Sequence, residues 1–310
     1  MVGQRDTVAV VGCGLIGESW TALFSAFGHD VIAWDASPAV MEGFSERVEH
    51  AREQVRALQG PGVIRSGSLT IGRGLDEVVS EASWIQENVP ESIPVKLELY
   101  RRKEKSARDS SIIASSTSSL TRSDLSPGLE LDQRFITAHP FNPPHLMPLV
   151  EIYAPNSQTR ARAESFYRAL DRQTVSLSRD AVGHIANRLS SALWREAVNI
   201  VAEGIAKVAD VDAALVHGPG LRWSVVGSHM GYHLGGGPGG IEQYLSHLGP
   251  SQERRWATLG TPSLTPELCR TLIDGVAEEA AGRSLQTLAA ERDDALIRVI
   301  AARKGGGRAS

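Results

Sequence analysis

The chain has 310 residues, 42% hydrophobic, 22% charged and 5% aromatic, with a formal net charge of −4. That balance leaves no basic footprint for nucleic acid, and no run of about 18 apolar residues is present to span a membrane. Cys13 and Cys269 stand far apart without metal-ligand spacing, which excludes a disulfide framework, offers no metal site and fits a reducing compartment. No signal-peptide pattern precedes the first strand-like run, so a cytoplasmic protein is expected. The length suggests about two domains.

TVAVVGCG (7–14) is a short apolar run ending in glycines, the pattern of a parallel strand buried on both faces. Residues 15–28 carry helical spacing at Ile16, Trp20, Leu23 and Phe27, with Gly28 placed to end the helix. HDVIAWD (29–35) is a second strand closed by an acid. Residues 36–58 are expected to form one long polar helix, with Ser37 at its N-cap and Pro38 at N1. A strand, a helix and a strand are expected over 69–89, a helix over 94–107 and a strand over 111–119. RFITAH (134–139) and LVEIY (149–153) read as further strands, and 165–178 as one more helix and strand. This alternation implies βαβ crossovers: a Rossmann-type, doubly wound, mostly parallel α/β sheet over 1–182.

The texture then changes. Residues 184–208 read as one long apolar-periodic helix, and little after it reads as strand. Residues 264–282 and 284–304 are further helical stretches. An all-helical C-terminal domain over 183–303 is expected, followed by a flexible tail at 304–310, where GGGRAS has no means of packing.

GCGLIG places Gly12, Gly14 and Gly17 in GxGxxG spacing between a buried-type strand and a helix, the context that makes the match informative. The first glycine permits the tight turn, the second lets backbone approach a pyrophosphate, and the third lets helix and strand pack closely. The free N–H groups and dipole of the helix N-terminus, through the turn that also holds Leu15 and Ile16, favour phosphate. Asp35 ends the second strand, 18 residues beyond Gly17. Its carboxylate suits ribose hydroxyls and repels a 2′-phosphate, which favours NAD over NADP. FAD is the competing dinucleotide.

Oxidation of a carbinol by NAD also releases the hydroxyl proton, and histidine, titrating near neutrality, suits that transfer. His139 ends a predicted strand of the nucleotide domain, where such sheets bind ligands. Glu151 lies on the next strand, beyond the proline-rich turn of HPFNPPHLMPLVEI (139–152). If those strands run back to back, the carboxylate reaches the imidazole, selects its tautomer and stabilises the imidazolium.

GxGxxG with Asp35, SSTSSL (115–120), HPFNPPHLMPLVEI and GHIANRL (183–189) stand in the order and spacing of the 3-hydroxyacyl-CoA dehydrogenase superfamily, which the chain resembles over nearly its whole length. SWIQENVPE (83–91), ALWREA (192–197), GPGLRW (218–223) and YHLGGGPGG (232–240) are most similar to the branch acting on free 3-hydroxy acids, which holds L-carnitine and L-gulonate 3-dehydrogenases. The resemblance implies an NAD-dependent dehydrogenase with His139 as general acid/base, Glu151 as its partner, and Ser118 and Asn187 holding the substrate oxygen. It also implies Glu91, Lys96 and Asn142 at the nicotinamide half, with Gly12, Gly14, Leu15, Ile16, Gly17 and Asp35 as above, and a homodimer built through the helical domain.

The substrate is expected to be a small 3-hydroxy acid. No basic helix region for the nucleotide of CoA is recognisable in 47–68. Arg222 in GPGLRW is a candidate clamp for a substrate carboxylate. Trp223, with Trp194 and Tyr232, offers aromatic faces for a quaternary ammonium. Two departures from the carnitine branch bear on the substrate: His229 and Gly231 replace bulkier apolar residues, and Asn187 replaces an aspartate. The alternatives are a 3-hydroxyacyl-CoA or carrier-bound 3-hydroxyacyl dehydrogenase, a secondary amine or imine substrate, and a non-catalytic, crystallin-like NAD-binding protein.

Overall fold

The computed structural model describes residues 7–59, 66–130 and 132–305. Its strands are β1 (Thr7–Val11), β2 (Asp30–Trp34), β3 (Leu69–Ile71), β4 (Trp84–Glu87), β5 (Ile112–Ser115), β6 (Phe135–Pro140), β7 (Leu149–Tyr153) and β8 (Gln173–Ser176). Interleaved with them are α1 (Leu15–Ala26), α2 (Pro38–Met41), α3 (Phe44–Gln59), α4 (Leu75–Glu81), α5 (Ile93–Ser106), α6 (Arg122–Leu125) and α7 (Ser157–Arg168). Then come only helices: α8 (Ala186–Ala202), α9 (Val208–His217), α10 (Pro219–Trp223), α11 (Ser228–Gly235), α12 (Gly240–Trp256), α13 (Pro266–Ala280) and α14 (Leu285–Gly305).

The eight strands form one sheet in the order β3-β2-β1-β4-β5-β6-β7-β8. Pairing is parallel from β3 to β6, antiparallel between β6 and β7, and parallel again between β7 and β8. The expected doubly wound sheet is therefore present. Its strand order reverses at β1 and β4, and ligands of such sheets bind at that crevice.

Alternation along β1 shows why both faces are covered. Val8 and Val10 join one buried cluster with Trp20, Phe24 and Tyr167, while Ala9 and Val11 join another with Leu75, Val79 and Tyr100. Successive side chains of a strand point to opposite faces, so a continuous apolar run needs helices on both sides. On the first face Trp20 stacks on Phe24 at 5.2 Å between ring centroids and Trp84 on Phe166 at 3.9 Å. Each such pair contributes about 0.5–1.5 kcal/mol beyond its buried area.

Contacts divide the chain into two units. The first runs to Arg188 and takes in Leu296–Ala301 of α14, where Ile300 joins a small cluster with Leu58 and Leu146. The second is Leu189–Ala295 with the residues from Ala302 onward. Within it, helices approach closely at glycines: a Cβ on Gly275 of α13 would meet Val208 of α9 at 2.5 Å, and one on Gly260 would meet Asn199 of α8 at 1.9 Å.

Several expected elements are shorter or broken. The helix expected over 36–58 stops after α2, where Glu42 is extended and Gly43 takes φ +65, and restarts at Phe44. Ser37 stands at the N-cap of α2, but its side chain makes no capping hydrogen bond. The helix expected over 184–208 begins at Ala186, because His184 is left-handed at φ +51, and ends at Ala202, ahead of Gly204 at φ +67. β5 covers only Ile112–Ser115 of 111–119. Gly28 follows α1 at φ +89, the left-handed step that ends a helix. α14 continues through Lys304 to Gly305, and the rest of the expected tail, 306–310, lies outside the described residues.

Candidate active site

The glycine turn joins β1 to α1 at the sheet's reversal point. Gly12 takes φ +88, and a Cβ there would stand 2.7 Å from the carbonyl carbon of Asn88; a Cβ on Gly17 would stand 1.8 Å from the carbonyl oxygen of Gly12. Both glycines are demanded by the packing of β1, β4 and α1. Gly14 differs: a Cβ there would meet nothing within 4 Å. Gly14 and Leu15 are exposed, Ile16 is partly so, and no side chain caps the N-terminus of α1. The helix therefore presents unclaimed N–H groups beside open space, the arrangement an anionic pyrophosphate needs.

Asp35 follows β2 across this opening. Its Oδ2 accepts from the backbone N–H of Cys13 at 2.8 Å and its Oδ1 from that of Ser37 at 2.8 Å. A cavity of about 230 Å³ is lined by Gly12, Trp34, Asp35, Val89, Leu99 and Arg102, among others. Its apolar walls, with the Asp35 carboxylate at one edge and Glu98 also in the lining, suit an adenosine group, so turn, acid and cavity fit the dinucleotide as a set.

At the other side of the sheet, the switch from parallel to antiparallel pairing sets His139 of β6 directly opposite Glu151 of β7. His139 Nδ1 lies 2.9 Å from Glu151 Oε2, with both side chains buried. Arg172, itself buried, holds the intervening proline-rich turn by donating to the carbonyls of Pro144 at 2.9 Å and Met147 at 3.2 Å. Glu151 Oε1 accepts from the backbone N–H groups of Ile185 at 2.8 Å and Ala186 at 2.9 Å. One carboxylate thus orients the imidazole and satisfies the start of α8. Burial alone would raise the Glu151 carboxyl, but the bonds from His139, Ala186 and Ile185 outweigh it and hold the group below its ordinary range. An ionised Glu151 accepts from Nδ1–H and so leaves Nε2 of His139 as the unprotonated, accepting nitrogen. Asn187, on the first turn of α8, places its amide nitrogen 3.3 Å from that Nε2.

Ser118 is exposed on the loop after β5. The Glu91 carboxylate grips that loop, accepting from the Ser118 backbone N–H and from Thr117 Oγ1 at 2.8 Å. Asn142 is exposed at the head of the proline-rich turn. Lys96 is not a solvated lysine: its Nζ lies 2.8 Å from Glu87 Oε1, and the pair is almost fully buried. Arg222 and Trp223 belong to the second unit, exposed on α10.

Sequence reasoning missed two groups. Glu87 ends β4 as an acid in a buried strand, a signal that was available. It also accepts from Ser115 Oγ at 2.7 Å, from the Val89 N–H at 2.7 Å and from Tyr100. His184, the first residue of the helix expected over 184–208, packs its ring 4.9 Å from that of His139; nothing local announced that contact. Among the described residues no group of three or more His, Cys, Asp or Glu is arranged to hold a metal ion, and no helix is long and apolar enough to cross a membrane.

The profile of the 3-hydroxyacyl-CoA dehydrogenase NAD binding domain matches residues 7–181, and that of the 3-hydroxyacyl-CoA dehydrogenase C-terminal domain matches 183–278. The chain is 38% identical over 298 residues to L-carnitine dehydrogenase of Streptomyces coelicolor, covering 95% of this chain and 94% of that one. It is 39% identical over 301 residues to L-carnitine dehydrogenase of Streptomyces griseus, covering 95% and 89%. Among solved structures, an NAD-dependent dismutase, 5-formyl-3-hydroxy-2-methylpyridine 4-carboxylic acid 5-dehydrogenase, superposes with a TM-score of 0.84 at 25% identity, covering 97% of this chain and 99% of that one. The chain belongs to the 3-hydroxyacyl-CoA dehydrogenase family and is an NAD-dependent oxidoreductase.

Proposed function

We propose that the protein oxidises the 3-hydroxyl of a small, non-CoA 3-hydroxy acid, carnitine- or gulonate-like, to the 3-keto acid, with His139 as general acid/base. The carrying observation is the His139–Glu151 pair, whose ionised carboxylate leaves Nε2 as the free base beside Asn187. Full-length similarity to L-carnitine dehydrogenases supports the substrate class.

In this reading the substrate hydroxyl gives its proton to His139 Nε2. Bound NAD would supply the acceptor for the hydride that leaves the carbinol carbon. Glu151 stabilises the imidazolium that forms, as the acid of a catalytic triad does. Ser118 and Asn187 donate to the oxygen as it becomes a carbonyl. Gly12, Gly14, Leu15, Ile16, Gly17 and Asp35 would hold the cofactor's pyrophosphate and ribose, and Glu91, Lys96 and Asn142 would stand at its nicotinamide half. For Lys96 that role runs through Glu87 and the Val89 backbone, since its own ammonium is committed. Arg222 would clamp the substrate carboxylate, with Trp223 beside a quaternary ammonium.

A homodimer and a cytoplasmic setting complete the reading. Large apolar side chains exposed on the second unit, among them Leu221, Val225, Met230, Leu245 and Ile273, support self-association. Two free cysteines support the compartment. A 3-hydroxyacyl-CoA thioester is the second reading, favoured by the family of both halves.

NADH formation separates the two. Purified protein with NAD is offered L-carnitine, L-gulonate, 3-hydroxybutyrate and 3-hydroxybutyryl-CoA. Turnover of a free acid without the thioester is the expected result. Turnover of the thioester alone overturns the proposal.

A further inference from the structure

His184 is a polar residue in an awkward place. It is 1% exposed, and its backbone is left-handed at φ +51, directly after Gly183 at φ +73. Non-glycine residues adopt that conformation rarely, with histidine, asparagine and aspartate the most tolerant. Burying an imidazole is unfavourable unless its polar atoms are used. One of them is: Nε2 lies 3.0 Å from the carbonyl oxygen of Thr117. A carbonyl only accepts, so Nε2 carries the proton and Nδ1 is the bare lone pair, which has no hydrogen-bond partner among the described residues. Burial holds the ring's pKa below the ordinary histidine value, outweighing the Thr117 bond that favours the charged form.

Three site components meet at this ring. The Thr117 carbonyl immediately precedes Ser118. The His139 ring packs at 4.9 Å, tilted by 42°. Asn187 follows three residues later, on the helix whose start Glu151 holds through the Ile185 and Ala186 N–H groups. Glu91 grips the Ser118 loop from its other side. His184 therefore touches the loop that bears Ser118 and the imidazole proposed as base, and is covalently continuous with the helix that bears Asn187.

We propose that His184 is a positioning residue: its Nε2–H fastens the Thr117 carbonyl, so that Ser118 is held in register with His139 and Asn187 around the oxygen of the substrate. It neither takes the substrate proton nor contacts the dinucleotide. The inference rests on the reading of His139 as the base.

The test compares His184→Gln, His184→Asn and His184→Leu. The Gln amide nitrogen occupies roughly the place of Nε2 and retains a donor. The Asn amide tolerates the left-handed backbone but is too short to reach Thr117. Leu has no donor. Each is assayed on whichever of L-carnitine, L-gulonate or 3-hydroxybutyrate the native protein turns over fastest, and for NADH dissociation by fluorescence. The expected result is a fall in kcat of about tenfold or more in Asn and Leu, recovery in Gln to within about threefold, and NADH affinity unchanged within about twofold in all three. The Asn variant carries the test if Leu does not fold on this backbone. Native kcat in His184→Asn, or equal losses in Asn and Gln, overturns the proposal. His139→Gln is assayed in parallel: if it keeps native turnover, the reading of the base falls and takes this inference with it. If it is inactive while His184→Asn is native, only the inference falls.

Discussion

Glu151 faces His139 across the antiparallel β6–β7 pairing, with Oε2 at 2.9 Å from Nδ1, while its other oxygen accepts from Ile185 and Ala186. Base orientation and the start of α8 thus depend on one charge. Glu151→Gln loses that charge and is free to present its amide to Nδ1, selecting the wrong tautomer. A kcat loss of roughly 10²–10⁴ is expected, as for loss of the base itself, with about 1 kcal/mol of stability from the weakened helix start. The native carboxyl is held below its ordinary range, so its stabilisation is fully present above the unfolded pKa and is lost as pH falls through the folded one. Acid titration of thermal midpoints should show a shallower acid limb in Glu151→Gln; an unchanged limb would refute the role.

His139→Gln removes the group that receives the proton and leaves the glycine turn untouched. Turnover should fall by about 10²–10⁴, with NADH dissociation, measured by fluorescence titration, within twofold of native. Comparable losses in both quantities would place His139 in cofactor binding instead.

Gly14 and Gly17 should respond differently to alanine. A Cβ at Gly17 collides with the Gly12 carbonyl oxygen at 1.8 Å, whereas one at Gly14 meets nothing within 4 Å. Gly17→Ala should lower stability by about 1–3 kcal/mol, the range for overpacking. Gly14→Ala should leave the thermal midpoint unchanged and weaken NADH by tenfold or more, because its methyl occupies the space beside the α1 N-terminus. Calorimetry with NADH titration checks both, and tight NADH binding by Gly14→Ala would remove the pyrophosphate from that position.

Lys103 is fully buried on α5, with no hydrogen-bond partner for Nζ among the described residues and the Tyr100 ring at 5.6 Å. Burial, with Lys96 close by, lowers its pKa to about 7 despite the attraction of Glu87. The unfolded chain binds more protons between pH about 7 and the ordinary lysine value of 10.5, so stability rises with pH across that window. Lys103→Met should stabilise the protein at pH 7 by about 1–3 kcal/mol and flatten that rise. Denaturant melts at pH 7 and 9 measure both, and a destabilised variant would show Lys103 to be a needed partner of Glu87.

Local pattern carried much of this protein. The apolar run of β1, the glycines that follow it and the acid after β2 all lie between Thr7 and Asp35, and short-range sterics suffice to read strand, turn and helix from them. The alternation to β8 and the helical texture after it follow from periodicity in the same way. The chain could also propose His139 and Glu151 as partners, because only 12 residues and a stiff turn separate them.

The tertiary structure decided what depends on register and on meetings between distant segments. The antiparallel pairing makes His139 and Glu151 opposite neighbours, where a slip of one residue would have turned one of them to the other face. The contact of His184 with Thr117 spans 67 residues, and that of Glu87 with Ser115 spans 28. Helix breaks at Gly43 and Gly204 depend on two glycines adopting positive φ, which glycine permits but does not require. Hydrophobic periodicity records which face of an element is buried. It does not record which polar group will be waiting there, because desolvation and hydrogen bonding select that partner only when the packed chain brings the two together.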